Sequence, residues 1–191
     1  MQNNDRLKFL FNQLLGAVIF MAGVTACYQG AIRHHPWFGP LVVGIIILFD
    51  LFTHPQLAGS KLKLLAAVGL LGFITETLLI LLRVYSVGPE TRWLLPEPLV
   101  PLWILALWLN FGIRVPAYIP FFRGRHIINA VTGFVFALII FSSASAMGLV
   151  GLTHKTTSLI ICALAWSAII PVIYLLAGKL FQLKTNTNTV N

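Results

Sequence analysis

The chain has 191 residues, of which 58% are hydrophobic and only 9% charged, with a net charge of +8. So apolar a composition excludes an ordinary water-soluble domain, in which about a quarter of the residues would be charged. The basic excess does not point to nucleic acid either, because the lysines and arginines stand singly at loop ends and form no patch interleaved with aromatics.

Six apolar stretches follow one another, each close to the ~20 residues that cross a hydrocarbon core about 30 Å thick. The first, Phe9 to Tyr28, is preceded by "MQNNDRLK" and contains "VTAC", the outline of a lipoprotein signal. Gly16, Phe20 and Gly23 instead align as the packing face of a retained helix, and five further spans fit a resident membrane protein. The second, Trp37 to His54, is the shortest and carries Asp50 near its end. The third, Leu64 to Tyr85, holds Glu76 and Arg83 in a run otherwise greasy enough to cross a membrane. The fourth, Leu99 to Phe122, contains Pro101, Pro116 and Pro120, which predict an irregular helix that bends or ends early before the basic loop "RGRH". The fifth, Ile127 to Met147, closes on the small residues of "SSASAMG", which in a membrane helix mean close packing. The sixth, Thr157 to Gly178, is followed by a short polar tail, residues 179–191, whose last letters "KTNTNTVN" lack any apolar periodicity and predict a frayed terminus.

Nothing alternates with period two over barrel-length segments, so no strands are expected. The pattern predicts a single all-α domain, a polytopic membrane helical bundle of about six transmembrane helices. The side implied for the termini and for the second and fourth loops holds eight basic residues, Arg6, Lys8, Lys61, Lys63, Arg123, Arg125, Lys179 and Lys184. The other side holds Arg33, Arg92 and Lys155, with Arg83 at a helix end, which orients both termini to the cytoplasm.

Glu76 draws the functional argument. A charged side chain at a bilayer centre costs on the order of 3 kcal/mol, so Glu76 must face protein, face water or be protonated. Gly69, Gly72, Glu76 and Arg83 recur at spacings of three, four and seven, which puts the carboxyl on a face where small residues let another helix come close. The fourth span offers a matching stripe of Trp103, Leu107, Asn110, Arg114 and Phe121. With about 1.5 Å of rise per residue, Asn110 falls near the depth of Glu76, and Arg114 near the depth of Asp50. The expected contacts are an Asp50–Arg114 pair, with Glu76 served by Asn110 and by Arg83 or Arg114. This buried polar cluster reads in two ways, as a clamp holding helices in register or as a site that binds a ligand or handles protons.

No residue stands out as catalytic. There is no Gly-rich phosphate loop, no G-x-S-x-G, no H-E-x-x-H and no paired-carboxylate motif. His34, His35, His54, His126 and His154 all lie at span ends without metal-ligand spacing, and Cys27 and Cys162 have neither metal spacing nor matching depth for a disulfide. No cofactor and no metal are expected.

The residues "HPWFGPLV", "ETLLILLRVY" and "PLWILALWLNFG" resemble an uncharacterised bacterial inner-membrane family, catalogued as domain of unknown function 2878. The likeness covers the first helix to the fifth, and "IRVPAYIPFF" departs from the Thr- and Ser-bearing stretch expected after the "LW" segment. The resemblance implies a small multi-pass protein of the bacterial inner membrane, with a tilt toward accessory work in membrane-lipid chemistry. Three functional classes follow. A non-catalytic accessory subunit would take a membrane protein partner or a lipid ligand, in keeping with the absence of motifs and of extramembrane domains. A small transporter or proton-coupled carrier would use Glu76 and Arg114 and would need a wet cavity reaching Glu76. A lipid-modifying enzyme would need Asp50, His54 and His126 to converge at the interface.

Overall fold

A computed structural model of the chain describes the backbone of residues 2–187 and the side chains of residue 11 and residues 13–181. Among these residues there are six α-helices, α1 (Gln2–Ile32), α2 (Phe38–Thr53), α3 (Ala58–Leu81), α4 (Leu102–Phe122), α5 (His126–Ala146) and α6 (Lys155–Thr187). Five are long and apolar enough to cross a membrane, and α2, at 16 residues, is shorter. At 1.5 Å per residue α2 is about 24 Å long, somewhat less than a hydrocarbon core. Single 3₁₀ turns stand at Pro55–Leu57 and Pro89–Thr91.

Several boundaries differ from those read in the sequence. α4 begins just after Pro101 and runs without interruption through Pro116 and Pro120, so the prolines neither break it nor end it early. Each proline removes one N–H from the ladder, and the packed neighbours hold the helix across the gap. α6 continues past Gly178 to Thr187, so the first part of the polar tail is helical; residues 188–191 and the side chains of Arg6, Lys8 and Lys184 lie outside the described residues.

Two short strands, absent from the sequence reading, pair at one end of the bundle. β1 (Tyr85–Val87) follows α3, β2 (Val150–Leu152) follows α5, and they run antiparallel with Ser86 opposite Gly151. The ends of α3 and α5 therefore lie together, and the alternation of the helices puts both chain termini at the opposite end. The helices pack chiefly as α5 on α6, α1 on α2, α3 on α4 and α1 on α4, whereas α1 and α5 scarcely touch.

The turn from α3 into β1 is made by an unlikely residue. Arg83 takes φ +55°, its N–H bonding the Ile80 carbonyl at 2.9 Å while the Val84 N–H reaches Leu79 at 2.9 Å. This is the left-handed helix terminator usually built on glycine. Its carbonyl is held by the Thr153 hydroxyl, just past β2. A continued helix would carry Tyr85 about 13.5 Å beyond Glu76; the left-handed turn brings it back instead. Arg83→Gly removes left-handed strain of about 1–2 kcal/mol and loosens the unfolded chain by a smaller amount, so the folded state should gain roughly 0.5–1 kcal/mol. Thermal unfolding in a fixed detergent checks this, and a lower melting temperature would show that the arginine side chain contributes more than its backbone costs.

Candidate functional site

Glu76 is fully buried and receives three hydrogen bonds. Tyr85 donates its hydroxyl to Oε2 at 2.7 Å, and the indoles of Trp108 and Trp166 donate to Oε1 at 3.1 and 2.9 Å. One carboxyl thus ties α3 to the β1 turn, to α4 and to α6. Gly72, one turn before Glu76, makes this possible, because a Cβ there would collide with the Trp108 ring. The two indole rings stack with centroids 4.6 Å apart, and Phe141 closes on Trp166 and on Tyr85. Tyr85 lies beyond the end of α3; burial, reinforced by the neighbouring Glu76 carboxyl, pushes its phenol well above its ordinary range, with Arg92 opposing. The phenol stays protonated and remains a donor at neutral pH.

The contacts expected for the other polar residues are corrected by the structure. Asn110 does not reach Glu76; its amide donates to the Phe20 carbonyl of α1 at 2.9 Å, in a notch that Gly23 leaves open. Arg83 does not reach it either, since the left-handed turn leaves that side chain exposed. Asp50 pairs with Lys61, which is only 5% exposed, and stands 3.7 Å from His54 Nδ1. The short α2–α3 connection brings Asp50 and Lys61 to the same level, so the acid is taken by its neighbour in the chain instead of by Arg114. His126 lies elsewhere, on α5, lining a pocket with Asn129, Tyr174 and Lys179. The trio Asp50, His54 and His126 is therefore divided between the α2–α3 corner and the α5–α6 pair.

Arg114 turns toward α1, its guanidinium filling the space that a side chain at Gly16 would occupy. Asn110 meets Gly23 and Arg114 meets Gly16, a separation of seven residues on α1 against four on α4. The difference of three residues means that the arginine reaches about 4.5 Å past the level of its own Cα, toward the end that carries the termini. Its Nε is buried without a hydrogen-bond partner among the described residues.

Between these two polar features lies a cavity of about 410 Å³. α1 contributes Ala17, Phe20, Met21 and Val24, facing Thr132, Gly133, Phe136 and Ile140 of α5. Trp108 and Trp166 form the wall shared with Glu76, while Arg114 and Tyr118 stand toward the opposite end. At the β1–β2 end α1 and α5 are pinned, because the Tyr28 hydroxyl donates to the Ile140 carbonyl at 3.0 Å. Away from that pin they part, and the lining residues Met21 and Phe136 are 56% and 44% exposed. The arrangement can take up an elongated apolar group entering sideways from the bilayer. Among the described residues no three His, Cys, Asp or Glu side chains come together as a metal site.

The residues that contact Glu76 were not singled out in the sequence. Trp108 and Trp166 carry no helical-spacing signal toward Glu76, and Tyr85 looked like the end of a span. The residues 13–172, which include all of these side chains, match the family described as protein of unknown function (DUF2878), and the chain belongs to that family. No curated protein and no solved structure matches the chain.

Replacing Glu76 by alanine orphans three donors, the Tyr85 hydroxyl and the indoles of Trp108 and Trp166, each worth about 1–3 kcal/mol, so Glu76→Ala should cost roughly 3 kcal/mol or more. Glu76→Gln keeps an acceptor for both indoles and should lose less than half as much. Thermal unfolding of the two variants in one detergent checks the order; equal losses would mean that the indole bonds contribute little.

Proposed function

We propose that this protein is a non-catalytic, accessory component of the bacterial inner membrane, with both termini cytoplasmic, that holds the apolar chain of a lipid-like ligand between α1, α4, α5 and α6. The observation that carries this reading is the cavity itself. Its volume of about 410 Å³ lies at the small end of ligand pockets, about 300–1,000 Å³, and suits one chain better than two. Its walls are rings and aliphatic groups, which offer dispersion contacts and almost no hydrogen bonds. Its mouth faces the lipid, where such chains are the solvent.

A fixed role for the Glu76 cluster fits the same reading. Beside the carboxyl the free space is only about 20 Å³, close to the least that holds one water, about 10–15 Å³. A carrier using Glu76 would need a wet route to it, and the three donors leave the carboxyl engaged. The separation of His126 from Asp50 and His54 leaves the lipid-modifying reading without a convergent set of groups.

Lipid retained through purification tests the proposal. Native mass spectrometry of the protein in mild detergent should find about one bound lipid-like molecule per chain, as expected of a site that buries most of its ligand. Ala17→Phe combined with Thr132→Leu fills the cavity from both sides and should abolish retention while the helical content stays unchanged. Equal retention by the filled variant would refute the assignment.

A further inference from the structure

The cavity is not apolar throughout, and its exception is a cation. Among the described residues, Arg114 is the only charged one lining it. Asp50 is taken by Lys61, and Glu76 is held by Tyr85, Trp108 and Trp166 on the far wall. No described carboxylate is left for the guanidinium, and its Nε is buried and unbonded. Gln13, one turn before Gly16 on α1, also has a buried amide oxygen without a partner. A guanidinium whose Nε is buried beside apolar walls is costly to leave without an anion to answer it.

We infer that the occupant is a long-chain carboxylate, bound with its acid head on Arg114 and its alkyl chain along the aromatic walls toward Trp108 and Trp166. This rests on the lipid-binding reading above and adds the chemical class of the ligand. Three features carry it. The planar fork of arginine matches a carboxylate through two parallel N–H bonds. One guanidinium balances one negative charge, whereas a phosphate monoester, carrying about −1.5 to −2, would leave uncompensated charge in a low-dielectric site. The reach of Arg114 toward the termini places the head nearer the membrane surface than the Arg114 Cα, with the cavity extending away from it into the bilayer, the order in which a single-chain acid lies.

The test uses the full chain in discs of uncharged lipid and reads quenching of tryptophan fluorescence, since Trp108 and Trp166 line the cavity. The probes are a mid-chain dibrominated fatty acid, the alcohol of the same chain, and the phosphate monoester of that alcohol. The acid should bind at least about tenfold tighter than the alcohol, the difference expected of charge-assisted hydrogen bonds. Arg114→Gln should bring the acid down to the affinity of the alcohol, with the alcohol unchanged. Arg114→Lys should keep part of the preference, and Gly16→Ala, which displaces the guanidinium, should weaken it; these two carry the test if Arg114→Gln does not fold. Equal affinities of acid and alcohol, or a preference that survives in Arg114→Gln, would overturn the assignment while leaving the cavity reading in place. Tighter binding of the phosphate monoester would overturn the charge match. If the alcohol and the acid both fail to quench, the cavity reading falls, and the head-group assignment with it.

Discussion

A carboxyl group deep among apolar helices has to be answered by donors, and the half of the bundle toward the β1–β2 end is arranged around that demand. Glu76 draws one donor from the α3–β1 turn, one from α4 and one from α6. Each donor needs its own support. Gly72 admits the Trp108 ring, the left-handed Arg83 returns Tyr85 toward the helix, and β2 holds that return in place. In lipid, where helix association has no hydrophobic drive, such hydrogen bonds and small-residue contacts do much of the joining. The gain is specificity of arrangement: three segments distant in sequence converge on two oxygen atoms.

The other pole is organised by α1. Its glycines at 16 and 23, seven residues apart, receive Arg114 and Asn110 from α4. Asn110 completes the backbone of α1, a closed interaction. Arg114 ends against Gly16 at the cavity wall, its charge unanswered by any described acid. One stripe on α4 thus supplies both a structural bond and an open cation, and the distinction lies in what α1 offers opposite each residue.

The class and helix count were legible because they depend on length and hydropathy alone. Small-residue spacing also carried real information: Gly69, Gly72, Gly16 and Gly23 all sit where another helix comes close. Depth matching was less informative. It placed Asp50 level with Arg114 and Glu76 level with Asn110, but depth says nothing about azimuth or about which neighbour arrives first. Lys61, eleven residues from Asp50 through a tight connection, takes the acid. The partners of Glu76 escaped notice because indole and phenol groups read as apolar until their N–H and O–H directions are known. Two three-residue strands are too short to leave a periodic trace, and a left-handed arginine gives no compositional warning. The prolines of α4 misled in the opposite sense, since packing tolerates what propensity forbids.

The pinning of α1 to α5 through Tyr28 at one end, with separation at the other, gives the seam a wedge shape. A wedge widens by rotation about its closed edge, so a small angular change at Tyr28 becomes a larger displacement near Gly16 and Thr132. On the lipid-binding reading proposed above, guests of differing girth would be admitted by degrees without breaking any of the bonds to Glu76, because the rim and the anchored carboxyl lie on opposite sides of the two tryptophans.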